Sequence, residues 1–318
     1  MMIITDSVKL FLRNGGLVWR VLLYIVICTL LLGGLSVAIC TPFIDKLLEA
    51  GCFDQILAIF TGNVANLQLS AIFASVADLI YDIGAVIAAN MGLMLPLAIV
   101  LFFIWGVLGS FLYGLGELAI ADSLYGYMGS NTKIGFGSCF IKNIVRSVKL
   151  QLARLVTVLP FNILICASAY GCLMMYNSTN AWVLFFAPFV LVLVVTLLVS
   201  LKRTIFCAWA PTMIVHNSGV WSSFGYSIAD VFKKFGKILG RQFILTLLMI
   251  AVSIAAIVLT ASVGLVLIIP TGIVLCGVVN MVIYFYINGL KFYVDDDEIV
   301  SSKKRESLEN INSLKDII

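Results

Sequence analysis

The side chains best suited to chemistry in this sequence are four charged residues at the ends of two long hydrophobic stretches. Glu117 and Asp122 follow one stretch, and Lys202 and Arg203 close another. Opposite charges attract each other more strongly at the edge of a hydrocarbon layer than in water, because the local dielectric constant is lower. We therefore expect these four groups to approach each other, either to hold a helical bundle together or to line a polar vestibule for a substrate.

Three uncharged polar residues within the hydrophobic stretches form a second candidate set: Asn162, Thr271 and Asn280. They are suited to lining a cavity between helices. Ion-coupled transporters usually place a charged or titratable residue inside the bilayer, and the centres of the hydrophobic stretches carry none. The sequence therefore disfavours an ion-coupled transporter and leaves open a permease with a polar cavity.

Common catalytic and metal-binding motifs do not occur in the sequence. It has one histidine, His216, and no zinc-protease, Cys-x-x-Cys, Gly-x-Ser-x-Gly or Walker motif. Most of the eight cysteines fall in or beside hydrophobic stretches, where cysteine behaves as a small apolar residue. Cys40 and Cys52 are the exception, and the sequence leaves a disulfide between them open. We expect no enzyme activity, no metal and no cofactor.

The composition indicates what kind of scaffold must position these residues. The 318 residues are 62% hydrophobic and 11% charged, and the mean hydropathy is +1.12. Soluble domains carry about 25% charged residues, and disordered chains have low hydrophobicity and high charge. The composition therefore excludes both of these classes and predicts a helical integral membrane protein.

Uncharged runs long enough to cross a bilayer as helices predict six transmembrane spans. The runs are 21–41, 91–116, 155–177, 180–201 and 243–289, the last of which has room for two crossings. Lysine and arginine concentrate in the cytoplasmic loops of membrane proteins. With six spans almost all of them fall on one side and only Lys46 on the other, so we expect both termini to be cytoplasmic.

The segment 42–90 is the main alternative, because residues 68–90 are long enough for a seventh crossing. Asp78 and Asp82 would then lie near the middle of the membrane, at a cost of very roughly 3 kcal/mol each. An odd number of spans would also separate the first basic residues from the later ones. We therefore interpret 42–90 as an extracytoplasmic insertion of two amphipathic helices, at about 43–60 and 68–89.

A short basic amphipathic segment precedes each odd-numbered span, at 6–13, 136–152 and 224–239. This recurrence predicts an all-α fold of three α-hairpins, each preceded by a basic amphipathic interfacial helix. Such helices place their cations near anionic lipid headgroups, either as simple anchors or as a lipid- or partner-specific surface. The cations of the last two segments that we assign to the interface are Lys142, Arg146, Lys149, Lys233, Lys234 and Lys237.

Residues 206–219, FCAWAPTMIVHNSG, precede a serine- and lysine-bearing segment at 221–237, and 118–149 is a weaker copy without the proline. This pattern resembles the membrane domain of glycerophosphodiester phosphodiesterases and related uncharacterised bacterial six-helix membrane protein families. The resemblance implies a bacterial plasma-membrane protein of six helices. It implies no catalytic residues, because those phosphodiesterases keep their chemistry in a separate soluble domain.

Small residues recur every fourth position in the second and sixth predicted spans. They let helix backbones approach closely where lipid supplies no hydrophobic driving force. We therefore predict helix contacts, within the bundle or between copies of the chain in a homo-oligomer, at Gly106, Ser110, Gly114, Gly272 and Cys276.

The composition changes at the acidic run 295–298, and apolar residues at helical spacing follow it over 306–318. We therefore divide the chain into a membrane domain, 1–293, and a cytosolic tail, 294–318. The net charge of +4 reflects the distribution of loops across the membrane, so we expect no nucleic-acid partner.

Taken together, the sequence predicts a non-enzymatic integral membrane protein of a bacterial cytoplasmic membrane that organises or binds anionic lipids or membrane partners. An extracytoplasmic protein partner at the insertion is a further possibility. The alternative is a permease or lipid transporter with a cavity between the helical hairpins. A cavity lined by the polar candidates or by Glu117 would favour transport, whereas a solidly packed interior would favour a scaffold.

Overall fold

The computed structural model describes residues 2–59, 61, 69–175, 181–260, 264–295 and 298–301. Six helical segments within these residues are long and apolar enough to cross a membrane. They are Gly15–Glu49, Met91–Ser130, Phe136–Cys172, Phe185–Val215, Phe235–Ile257 and Val266–Ile287. The predicted all-α polytopic membrane fold is thereby confirmed.

The elements in chain order are α1 (Met2–Arg13), α2 (Gly15–Glu49), α3 (Cys52–Ala58), α4 (Leu69–Ala89), α5 (Met91–Phe102), a π-helical segment (Phe103–Gly109), α6 (Ser110–Leu115), α7 (Glu117–Ser130), α8 (Phe136–Met174), α9 (Ala181–Phe206), α10 (Trp209–Val215), α11 (Val220–Lys233), α12 (Phe235–Thr260), α13 (Leu265–Ile287), β1 (Lys291–Asp295) and β2 (Glu298–Ser301). They form two compact units. Unit 1 comprises Met1–Ile25 and Tyr113–Ile318, and unit 2 comprises Val26–Leu112.

Unit 2 contains the predicted insertion. The first helix predicted for the insertion, 43–60, is not a single helix in the structure. Helix α2 continues through Pro42 to Glu49, and the chain then turns at Gly51, whose φ of 72° suits a residue without a Cβ. The predicted helix is therefore divided between the end of α2 and the short α3. Cys40 and Cys52 are both free thiols.

Helix α4 matches the second predicted helix of the insertion in its bounds. Gln55 on α3 donates a hydrogen bond to the carboxylate of Asp82 at 2.7 Å, which ties α3 to α4. The side chains of residues 69–74 lie outside the described part of the chain. The interpretation of 68–90 as a helix that does not cross the membrane therefore stays a prediction.

Unit 1 has one hydrophobic core, to which α1, α7, α8, α10 and α13 all contribute. Leu10 of α1, Tyr127 of α7, Leu150 of α8, Trp209 of α10 and Tyr284 of α13 are all buried in one cluster. Burial of such large apolar side chains is the main stabilising contribution wherever the helices meet away from lipid.

The three basic segments differ in how they join their spans. Helix α1 is separated from α2 at Asn14, and α11 from α12 at Lys234, whereas α8 runs without interruption from Phe136 to Met174. Glycines follow both breaks, at Gly15 and Gly236, while 145–155 consists of residues that tolerate a helix. The prediction of a separate interfacial helix is therefore wrong for 136–152, which is the first part of α8.

The predicted boundary at residue 294 is also wrong, because β1 crosses it. Strands β1 and β2 pair antiparallel, with Phe292 opposite Val300. Phe292, Val294 and Val300 are buried in the core of unit 1, so this hairpin belongs with the helices and not with a solvated tail. The predicted helix at 306–318 lies outside the described residues.

Candidate functional site

A cavity of about 380 Å³ lies within unit 1, between α6, α7, α9, α12 and α13. One part of its wall is apolar and includes Ile120, Met249, Ile269 and Ile273. The other part is polar and consists of Tyr113, Glu117, Arg203 and Asn280. The cavity therefore presents charged and hydrocarbon surfaces side by side.

Glycines on α13 allow neighbouring helices to form the cavity wall at close range. A Cβ at Gly272 would collide with the side chain of Met249 on α12, and a Cβ at Gly277 would lie 2.7 Å from Ile120 on α7. Cys276, one of the predicted packing residues, lines the cavity between them. Close approach of α13 and α7 thus depends on the absence of a side chain at Gly277, whereas the flexible end of Met249 fills the space beside Gly272.

The predicted packing residues of the second span have different surroundings. The carbonyl of Gly114 accepts a hydrogen bond of 2.8 Å from the amide of Gln151, whose side chain occupies the space that a Cβ would need. The atoms nearest to a Cβ at Gly106 belong instead to Phe102, one turn earlier, and Ser110 donates back to the Gly106 carbonyl. The structure therefore places Gly114, but not Gly106 or Ser110, against a residue of another helix.

Glu117 forms an ion pair with Arg154 at the cavity wall. Both terminal nitrogens of Arg154 donate to the carboxylate, with Nη2 2.9 Å from Oε1. The guanidinium group also lies over the ring of Trp209, at 5.6 Å from its centre. A bidentate pair of this kind is stronger than a single charge-assisted hydrogen bond, so the charge of Glu117 is neutralised by the protein itself.

Asp122 has its own partners on α8 and does not line the cavity. Its Oδ2 accepts hydrogen bonds from Lys142 at 2.9 Å and from Asn143 at 2.8 Å. Asp122 is buried, with 6% of its surface exposed. These bonds fix α7 to α8 beside the turn between them.

Lys202 and Arg203 are consecutive but point to different surroundings. The ammonium group of Lys202 donates to Asn162 at 3.0 Å on the exposed side of α8 and α9. Nη1 of Arg203 instead donates to Thr246 on α12 at 3.4 Å and lines the cavity. Neighbouring residues of a helix diverge in this way because each one is rotated by about 100°.

The prediction that four charges form one cluster is therefore wrong in its pairings. The two carboxylates pair with cations of α8, and Arg203 shares only the cavity with Glu117. Of the uncharged candidates, Asn280 lines the cavity and accepts a hydrogen bond of 3.2 Å from Gln242. Asn162 and Thr271 are not among the residues that line the cavity. Asn162 is exposed, and Thr271 donates to the Leu267 carbonyl of its own helix.

Four polar contacts join helices of unit 1: Gln151 with Gly114, Arg154 with Glu117, Arg203 with Thr246, and Gln242 with Asn280. Sequence reasoning missed Gln151, Arg154, Gln242 and Thr246. Gln151 and Arg154 are three residues apart, and Gln242 and Thr246 are four apart. Each pair therefore lies on one face of its helix, which the sequence alone could have shown.

The predicted interfacial cations have mixed roles. Arg146 donates to Asn217 Oδ1 at 2.9 Å and to the Met213 carbonyl at 2.7 Å, and so holds the turn after α10. Lys233 pairs with Asp230, and Lys234 lies 4.5 Å above the centre of the Tyr286 ring. Lys149 and Lys237 are exposed.

His216 is hydrogen-bonded to the hydroxyl group of Tyr284, with 2.9 Å between Nε2 and Oη. Within the described residues, no group of three or more histidine, cysteine or acidic side chains is placed to hold a metal ion.

Comparison of the chain with protein-family models, with curated proteins and with solved structures gives no match. The resemblance to the membrane domain of glycerophosphodiester phosphodiesterases therefore stays a prediction.

Proposed function

We propose that this protein is a non-enzymatic integral membrane protein that binds a lipid of the surrounding membrane in the cavity of unit 1. The observation that carries the proposal is the composition of the cavity wall, where Glu117, Arg203 and Asn280 lie beside Met249, Ile269 and Ile273. A lipid has the same two-part character. Pockets for small molecules usually combine an apolar lining with a few polar groups that fix the orientation of the ligand.

The size and position of the cavity agree with this proposal. About 380 Å³ lies within the usual range of ligand pockets and holds a headgroup with part of a chain. Ile269 belongs to its wall and is 49% exposed, so the cavity reaches the outer surface of α13. A lipid can enter from that side without unfolding the bundle.

We further propose a bacterial cytoplasmic membrane, with both termini on the cytoplasmic side. Two observations support this placement: the uneven distribution of lysine and arginine, and the resemblance to bacterial six-helix families. The basic ends of α8 and α11 then face the anionic cytoplasmic leaflet. The placement of the termini can be tested with a reporter that is active only in the cytoplasm, fused to the N-terminus or to the C-terminus. An inactive reporter at one terminus would contradict a cytoplasmic location of that terminus.

A cavity-filling substitution tests the proposed function. Cys276 lines the cavity, so Cys276→Phe places a ring where the lipid lies, whereas Cys166 is exposed on α8 and does not line it. Native mass spectrometry of the full chain, released from detergent, counts the retained lipids. We expect about one retained lipid for the wild type and for Cys166→Phe, and loss of most of it for a Cys276→Phe protein that still unfolds in one cooperative transition. Equal retention by all three proteins would contradict the proposal.

A permease or lipid transporter is the second candidate function. Two of the residues whose presence in a cavity favours transport, Glu117 and Asn280, do line it. Vesicles that contain the full chain and a fluorescent lipid distinguish the two functions, because a transporter moves the lipid between leaflets and a binding protein does not. Movement of the fluorescent lipid between leaflets would favour transport if Cys276→Phe abolishes it.

A further inference from the structure

The two charged residues that line the cavity, Glu117 and Arg203, are not paired with each other. The carboxylate of Glu117 binds both terminal nitrogens of Arg154, which does not itself line the cavity. Among the residues that line the cavity, Glu117 is the one carboxylate and Arg203 the one cation. Because Glu117 is already paired, Arg203 has no ion-pair partner among the described residues.

Arg203 also has unused hydrogen-bonding capacity. A guanidinium group presents five N–H donors, and in the described part of the chain one of them reaches Thr246, at the long distance of 3.4 Å. Asn280 contributes a second donor: its Oδ1 accepts from Gln242, and its NH₂ group has no acceptor among the same residues. Both residues line the cavity.

Donors without acceptors beside a cation that has no ion-pair partner indicate a negatively charged ligand. A cation that faces a medium of low dielectric constant is costly unless an anion or acceptor compensates it. The planar fork of a guanidinium group matches the paired oxygens of a phosphate or a carboxylate. The apolar wall beside Arg203 then suits the hydrocarbon part of the same molecule.

The position of Arg203 near the end of α9 offers a different explanation. Carbonyl groups at the C-terminal end of a helix attract cations, and α9 ends at Phe206. Lys202 shares this position on the helix, but its ammonium group donates to Asn162 outside the cavity. Lys202 is therefore a matched control that separates the effect of the helix end from the effect of the cavity.

We infer that the cavity binds an anionic phospholipid, whose phosphate accepts hydrogen bonds from Arg203 and Asn280 while an acyl chain contacts Met249, Ile269 and Ile273. This inference rests on the proposed function and specifies the class of lipid. A soluble phosphate would satisfy the same two donors but would leave the apolar wall without a partner.

The test compares lipids that differ in net charge. The full chain in a neutral detergent is titrated with phosphatidylglycerol and with phosphatidylcholine of identical chains, and glycerol phosphate serves as the soluble anion. Native mass spectrometry measures binding to the wild type, Arg203→Gln and Lys202→Gln. We expect the wild type and Lys202→Gln to prefer phosphatidylglycerol by about tenfold or more, and Arg203→Gln to lose this preference while it still retains lipid.

A second measurement needs no substitution. Cys276 lines the cavity and Cys166 does not, so phosphatidylglycerol should slow the alkylation of Cys276 in the wild-type chain and leave that of Cys166 unchanged. Phosphatidylcholine at the same concentration should protect Cys276 much less. Peptide mass spectrometry reads both sites in one sample.

Each outcome decides one part of the inference. Equal binding and equal protection by the two lipids would overturn the negative charge of the ligand but leave lipid binding in place. An equal effect of the two substitutions would overturn the role of the cavity in the preference. Displacement of the lipid by an equal concentration of glycerol phosphate would overturn the assignment to a lipid. Retention of lipid by Cys276→Phe would instead remove the proposed function itself.

Discussion

Two connections in unit 1 have the same order of elements but are held together by different forces. The first connection comprises α7, residues 131–135 and α8, and the second comprises α10, residues 216–219, α11 and α12. Each turn includes an asparagine with positive φ, Asn131 at 54° and Asn217 at 48°. Carboxylates of α7 pair with cations of α8 in the first connection. In the second, α10 contains no charged residue, and its Trp209 packs on Phe224 of α11.

This difference separates structural charges from the charge that we assign to a ligand. In the first connection Lys142, Arg146 and Arg154 all bind acceptors of the protein. Arg203 lies outside both connections, on α9 shortly before α10, and lines the cavity. We therefore assign a structural role to these cations of α8 and a ligand-binding role to Arg203.

Removal of Trp209 should have the largest effect on stability, because it is the apolar anchor of the second connection. Its side chain is fully buried, lies 4.5 Å from the ring of Phe224 between centres, and donates to the Val220 carbonyl at 2.9 Å. We expect Trp209→Ala to lower the free energy of unfolding by about 4 kcal/mol. Thermal or denaturant unfolding in detergent measures this loss.

The neighbouring Trp221 is the control for this prediction. It is 61% exposed, so Trp221→Ala should change the free energy of unfolding by about 1 kcal/mol or less. Similar losses for the two variants would contradict the description of the second connection as an apolar contact centred on Trp209.

Removal of Arg154 should have the next largest effect, and it tests the first connection. Arg154→Met leaves Glu117 without a partner at a site where the two side chains are only 17% and 27% exposed, respectively. Breaking a partly buried pair from one side costs about 3 kcal/mol, because a charge stays behind. The double variant Glu117→Gln with Arg154→Met removes that charge and should recover part of the loss.

The two single variants and the double variant form a double-mutant cycle, and unfolding in detergent supplies all the free energies. We expect an interaction free energy of about 2 kcal/mol between the two sites. Additive losses would show that Arg154 stabilises the bundle through Trp209 alone and not through Glu117.

The sequence contains enough information to predict the class of fold and the number of spans. Both depend on the lengths of uncharged runs, which are local properties. The breaks within the basic segments were harder to predict, because 136–152 and 224–239 share the same amphipathic pattern. What differs is Gly236 in the second segment, which has no counterpart in the first. The hairpin of β1 and β2 was missed because the acidic run 295–298 resembles the start of a solvated tail.

The candidate site was predictable in its residue types but not in its pairings. Glu117, Arg203 and Asn280 were chosen from the sequence, and all three line the cavity. Which helices are neighbours is decided by long-range packing, so the partners of the two carboxylates could not be chosen from position alone. Arg154 was counted only as a loop cation, although it directly precedes the predicted span 155–177.

Removal of Lys142 should have the smallest effect on the free energy of unfolding. It compares the exposed pair of Lys142 and Asp122 with the less exposed pair of Arg154 and Glu117. The Lys142 side chain is 66% exposed, and its partner Asp122 also accepts a hydrogen bond from the buried Asn143. An exposed ammonium group contributes little, because water replaces it at low cost. We therefore expect Lys142→Met to lower the free energy of unfolding by about 0.5 kcal/mol. Asn143→Ala, which removes the buried donor, should cost about 2 kcal/mol in the same unfolding measurement. The reverse order would mean that Asp122 is held by the charge of Lys142, and the first connection would then depend on surface electrostatics as well as on the buried pair at Glu117.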